Sequence, residues 1–141
     1  MKTYKILGYA GVIPFIIFLS LFQYPVNDIF IDPLQGFTFY SAIIFSFIAG
    51  SLWRSDNSAS NLNAQIISNI LCLYAFVCLF LSTFYALLFL SFGYFILFVA
   101  EYLITNVQED TPAETQSYLR MRLVLTLVVN LLHSIAIVLL I

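Results

Sequence analysis

Long apolar runs separated by brief polar interruptions leave this chain few ways to fold. A helix needs about 20 such residues to cross about 30 Å of hydrocarbon, and a water-soluble domain of this size has no interior that could hide them all. Of the 141 residues, 62% are hydrophobic and 9% charged, whereas soluble domains carry about 25% charged residues. A mean hydropathy of +1.02 points the same way. The expectation is an all-α fold, a polytopic integral membrane helix bundle making one transmembrane domain over residues 1–141.

The polar punctuation cuts the chain into five spans. The first covers about residues 6–24 and stops at Pro25, where Pro-Val-Asn-Asp reads as a turn. The second covers 33–53: Asp32 caps it, Pro33 suits the first helical position, and Gln35 completes a capping-box pattern. After the Ser- and Asn-rich stretch 55–61 come spans at 62–81 and 84–104. Only Ser82 and Thr83 divide them, but a single helix over 62–104 would be about 65 Å long at about 1.5 Å per residue, twice the hydrocarbon thickness. The fifth helix, 112–141, is capped by Thr111 with Pro112 and Glu114 behind it. It begins as an interfacial turn and enters the membrane near Leu123.

Orientation follows from the cations, because short cytoplasmic loops collect Lys and Arg. With five spans, Lys2, Lys5, Arg54, Arg120 and Arg122 all fall at one face, and the other face carries Asp28 and Asp32. This places the N-terminus in the cytoplasm and the C-terminus outside. The run after Lys2 and Lys5 lacks the small-residue cleavage pattern of a signal peptide, so it reads as a retained first helix. No Ser- and Arg-rich transit stretch precedes it, which favours a bacterial plasma (inner) membrane, with the mitochondrial inner membrane as the alternative. A net charge of −2 gives no basic surface for a nucleic acid. The partners expected are membrane lipids, other membrane proteins, or further copies of the chain.

Several residues stand out against the apolar background. Thr126, Asn130, His133 and Ser134 recur at spacings of four, three and one, so they share one side of the fifth helix. Ionisable groups at membrane depth usually face a bundle interior or water, which makes His133 a proton-relay or substrate-contact candidate. The plainer reading is an interhelical hydrogen bond that fixes packing. Glu101, near the end of the fourth helix, lies within reach of Arg54, Arg120 or Arg122, arginines that anchor the cytoplasmic face, and an ion pair is favoured there over a catalytic acid. Asn69 in the third helix is a further hydrogen-bonding candidate. Gly8, Gly11 and Pro14 in the first helix, and Ala42, Ser46 and Gly50 in the second, make small-residue grooves for helix packing. Pro14 also frees the carbonyl of Ala10.

Signatures for a nucleophile elbow, a dinucleotide or phosphate loop, and a zinc protease are all missing from the sequence. Cys72 and Cys78 lie in an apolar run without metal-site spacing, and no cofactor or metal is implied. Three stretches, Leu7-Gly8-Tyr9-Ala10-Gly11-Val12-Ile13-Pro14-Phe15, residues 40–50 running on to Trp53, and Tyr118-Leu119-Arg120-Met121-Arg122-Leu123-Val124-Leu125-Thr126, resemble the DUF3429 membrane family, which includes the transmembrane protein 69-like group. The resemblance covers essentially the whole chain. It implies that Gly11, Pro14, Ser46, Gly50, Trp53, Tyr118, Arg120, Arg122 and Thr126 are signature positions. Leu52 departs from the histidine expected before the tryptophan. The resemblance brings no activity with it.

The reading that results is a small non-enzymatic membrane protein acting in interaction with, or assembly of, a larger membrane complex. The alternative is an oligomeric small-solute or ion transporter that uses the polar stripe on the fifth helix. An integral-membrane enzyme stands third.

Overall fold

Every regular element among the described residues is a helix. The structure, a computed structural model, describes residues 3–24, 26, 31–54, 61–105 and 112–141, with the backbone alone at 54, 61 and 62. Lys2, the turn at Pro25, Asp28, the cap Thr111, most of the 55–61 stretch and the Arg54 side chain lie outside this description.

The first apolar run is two helices rather than one, α1 (Thr3–Ala10) and α2 (Ile13–Gln23). Pro14, in the first turn of α2, cannot donate to the turn before it, so the chain tightens between them. There the Val12 amide bonds three residues back, to Tyr9 O at 3.1 Å. The second run forms α3 (Pro33–Ser51) followed by a 3₁₀ turn over Leu52–Arg54. Asp32 caps α3 as its sequence suggests, its Oδ2 accepting from the Gln35 amide at 3.1 Å.

Next come α4 (Asn61–Cys78) and α5 (Thr83–Thr105). α4 ends three residues earlier than its apolar run, because the amides of Leu79, Phe80 and Leu81 bond to carbonyls three residues back and wind the chain tighter before it reverses. The Ser82 carbonyl then accepts from Ala86 to open α5. α6 (Ala113–Leu140) completes the chain. Thr3–Gln23, Pro33–Ser51, Thr83–Thr105 and Ala113–Leu140 are each long and apolar enough to cross a membrane. α4 is the shorter fifth; its 18 residues extend about 27 Å at about 1.5 Å each.

α3 packs against α2, α4 and α5, while α6 packs on α5 and closes the bundle against α1 and α2. What separates inside from outside is size and polarity rather than hydrophobicity. Inside lie small residues (Ala42, Ala49, Ala64, Ala75, Ala86 and Ala136, none more than 3% exposed) with the aromatic rings of Phe15, Phe37 and Phe45. Outside lie bulky ones: Phe47 and Phe80 are each 76% exposed and Leu103 is 68% exposed. In water such a surface would aggregate; in a bilayer it is the lipid-facing coat, and small residues inside allow helix backbones to approach closely. The chain is a transmembrane helical bundle.

Two glycines mark the closest approaches. A Cβ on Gly93 of α5 would stand 2.7 Å from the Tyr74 ring and 3.0 Å from that of Phe45, and one on Gly36 would stand 2.5 Å from the Phe18 ring. Gly50 has nothing within 4 Å of that position. Gly93→Ala is therefore expected to destabilise by about 1–3 kcal/mol through overpacking. Gly50→Ala is expected to be neutral or stabilising by up to about 1 kcal/mol, because alanine favours the helix. Unfolding of the two variants in mixed detergent micelles checks the contrast.

Candidate functional site

The polar groups of the bundle gather at two depths. The deeper group surrounds His133, whose side chain has no solvent exposure. Its Nδ1 lies 2.8 Å from the Val129 carbonyl one turn back on α6. A carbonyl only accepts, so Nδ1 carries the proton, and in the neutral ring Nε2 is the acceptor. Ser41 of α3 meets that requirement: its hydroxyl donates to Nε2 across 2.8 Å. Tyr94 of α5 donates to the Ser41 carbonyl at 2.8 Å, so three helices join at one point. The rings of Phe15, Phe37 and Tyr94 enclose the imidazole, with centroids 5.9, 5.0 and 5.6 Å away.

One turn nearer the start of α6, the Asn130 carboxamide is held on both sides. Its Nδ2 donates to the Thr126 carbonyl at 2.9 Å, and its Oδ1 accepts from the Ser91 hydroxyl of α5. The Ser134 hydroxyl turns back to the Asn130 carbonyl at 3.0 Å and stays outside the cluster. At the break between α1 and α2, Tyr40 of α3 donates to the Gly11 carbonyl at 2.9 Å. The carbonyl with a side-chain partner is thus that of Gly11, one residue beyond the Ala10 carbonyl that Pro14 frees.

A serine hydroxyl on a histidine Nε2 is the contact that activates a nucleophile. Here the group orienting Nδ1 is a neutral carbonyl rather than a carboxylate, and Ser41 is as fully enclosed as His133. No substrate carbonyl could approach Ser41 Oγ without the helices parting. What this arrangement does chemically is satisfy buried polar groups while tying α3, α5 and α6 together.

The second group lies at one end of the bundle. Glu101, near the end of α5, accepts from Arg122 Nε at 2.9 Å and from the Tyr118 hydroxyl at 2.9 Å, both on α6. Both charged side chains are 7% exposed. Of the three arginines within reach in sequence, Arg122 makes the pair; Arg120 points outward on the opposite side of the helix. Tyr4 packs edge-on to Tyr118, with ring centroids 6.0 Å apart, so the first turns of α1 and α6 share an end with the last turn of α5. Ile141 therefore sits at the other end.

Asn69 is on the exposed face of α4, not between helices as expected; the buried face of that helix runs through Ala64, Ser68, Leu71, Ala75 and Cys78, and Ser68 is the polar residue it takes inside. A Cβ on Gly8 would stand 3.1 Å from Leu125 and 3.3 Å from Met121 of α6. Ala42 is buried, and the Ser46 carbonyl faces Cys72 Sγ at 3.6 Å. Sequence reasoning passed over Ser41, Ser91, Tyr94 and Tyr40. Ser41 carried a readable signal: Leu34, Thr38, Ser41 and Phe45 recur at helical spacing, and all four are buried. Among the described residues, no group of three or more His, Cys, Asp or Glu side chains could hold a metal ion.

Over residues 1–139 the chain matches the family described as protein of unknown function (DUF3429). No curated protein and no solved structure matches it.

Proposed function

This chain belongs to the DUF3429 family, and on that premise we propose that it works without catalysis, through contacts with other membrane proteins or lipids in the assembly or maintenance of a larger membrane complex. The observation that supports this reading is where the intramembrane polar residues direct their hydrogen bonds. Ser41, Ser91, Tyr94, Asn130 and His133 are engaged with one another or with backbone carbonyls. A transporter would hold such groups toward a water-filled path, and an enzyme would hold them toward a substrate. A scaffold holds them toward each other, which leaves its apolar outer faces as the surface for contact.

The test is purification of the full chain in mild detergent from its native membrane. A defined heteromeric partner at fixed stoichiometry is expected. A homo-oligomer with His133-dependent flux in proteoliposomes would overturn the proposal in favour of a transporter, and a lone monomer without flux would sink both. The proposal includes the orientation read from the cations, with the N-terminus cytoplasmic in a bacterial plasma membrane, or on the matrix side of a mitochondrial inner membrane. Alkaline phosphatase fused after Ile141 is then active and green fluorescent protein fused there is dark; the reverse pattern inverts the bundle.

A further inference from the structure

Between α1, α2, α3 and α6 lies a cavity of about 370 Å³, within the range of about 300–1,000 Å³ that ligand sites occupy. Its two ends differ. Phe15, Ile44, Leu125 and Val129 line the inner part, whereas Tyr4, Ser51, Tyr118 and Arg122 line the part at the end of the bundle where the cations lie. Along α6 it reaches from Tyr118 to Val129, about 16 Å at about 1.5 Å per residue. That is roughly half the hydrocarbon thickness of about 30 Å, the depth of one leaflet.

The cavity opens sideways to the membrane, because Phe47, 76% exposed, forms part of its wall. Most of that wall is apolar, so an acyl chain that reaches in from the surrounding leaflet meets apolar surface along its length.

Arg122 specifies the other end of the occupant. A guanidinium carries five N–H donors, and here Nε alone serves Glu101; among the described residues no acceptor meets Nη1 or Nη2. The side chain is 93% buried by its 7% exposure, and it lines the cavity. Donors enclosed without acceptors are costly, and the two terminal amino groups of an arginine match two oxygens of a phosphate. Glu101 accepts from Nε and is not among the residues that line the cavity. The Ser51 and Tyr118 hydroxyls already donate to the Ile48 carbonyl and to Glu101, and Arg122 is the one charged side chain among the described residues that line the cavity.

We propose that this cavity is a binding site for one anionic phospholipid, which lays an acyl chain along α6 between Phe15 and Leu125 and sets its phosphate on the terminal amino groups of Arg122. The inner wall of the cavity shares Phe15, Tyr94 and Val129 with the surroundings of His133, but its charged end at Arg122 is separate from that cluster, and the site does not depend on the function proposed above. The lipid enters from the leaflet at the cation-bearing end.

Native mass spectrometry of the full chain, titrated in mild detergent with phosphatidylglycerol and separately with phosphatidylcholine, tests the site. A single saturable phosphatidylglycerol adduct is expected, at least ten-fold tighter than that with phosphatidylcholine. Ile44→Trp fills the channel away from the ion pair and should weaken the adduct at least ten-fold at an unchanged unfolding midpoint. Where that variant fails to fold, Val12→Trp closes the opposite wall with the same expected loss. Arg122→Lys leaves a cation for Glu101 without the forked donors and should cut the preference for phosphatidylglycerol below about three-fold. Adducts that never saturate, equal binding by a folded channel-filled variant, or a dimer that occludes the cavity would each overturn the proposal.

Discussion

Glu101→Ala is expected to destabilise the bundle by about 3–5 kcal/mol, the cost of leaving one member of a buried ion pair without its partner. The carboxylate has two duties: it neutralises Arg122 and it accepts from the Tyr118 hydroxyl, so its loss leaves a charge and a phenol unsatisfied together. Arg122→Ala should lie in the same range, for the mirror-image reason. Glu101→Gln keeps an acceptor for Tyr118 and should fall between Ala and wild type. The double variant Glu101→Leu with Arg122→Met removes both charges, and apolar replacements of a buried pair are often neutral or better; it should recover most of what either single variant loses. Titration with sodium dodecyl sulfate from mixed micelles, followed by circular dichroism, reads all four. Single variants that unfold with the wild type would mean that headgroup water solvates the pair and that it holds nothing together.

His133→Ala should cost about 2–5 kcal/mol, whereas Ser41→Ala, at the other end of the same hydrogen bond, should cost about 0.6 and at most about 1.7. The asymmetry comes from what each side chain fills. Imidazole occupies a space closed by Phe15, Phe37 and Tyr94, and its removal leaves a void that those rings cannot collapse into without shifting α2, α3 and α5. The serine hydroxyl contributes one interhelical hydrogen bond and little volume. Equal losses in the two variants, measured by the same titration, would mean that the hydrogen bond rather than the ring carries the stability of this layer.

Much of the fold was legible before any coordinates. Asp32 before Pro33, the interruption at Ser82-Thr83 and the Pro-capped start of the last helix stand out because a polar residue within an apolar run is conspicuous. The break between α1 and α2 was half legible: Pro14 announced a missing donor, but a proline within a membrane helix can kink it without ending it. The candidate site was less legible. Asn130, His133 and Thr126 announced themselves as polar residues on one face of an apolar helix, and Glu101 as a lone acid near arginines. Their partners did not, because Ser41, Ser91 and Tyr94 are residue types common in membrane helices with or without a role. Asn69 misled for a related reason. It is more polar than Ser68, yet it stands midway along α4 on the exposed face while Ser68 turns inward, so polarity alone did not show which of the two neighbours was buried.

The sequence by itself determined that the chain is a membrane helix bundle, where most of its helices begin and end, and which few residues are polar at depth. Hydrocarbon imposes those things on composition and length: a span needs about 20 apolar residues, and every backbone polar group within it must be bonded inside its own helix. Only the tertiary structure decided which way each helix turns about its axis. Most core-facing and lipid-facing side chains alike are apolar here, so hydrophobic patterning alone does not set that rotation; the close fit of small residues and aromatic rings, with the pairing of the few buried polar groups, does so instead. That rotation brings Ser41 to His133 across 92 positions of sequence, selects Arg122 over Arg120 for Glu101, and opens a cavity beside α6.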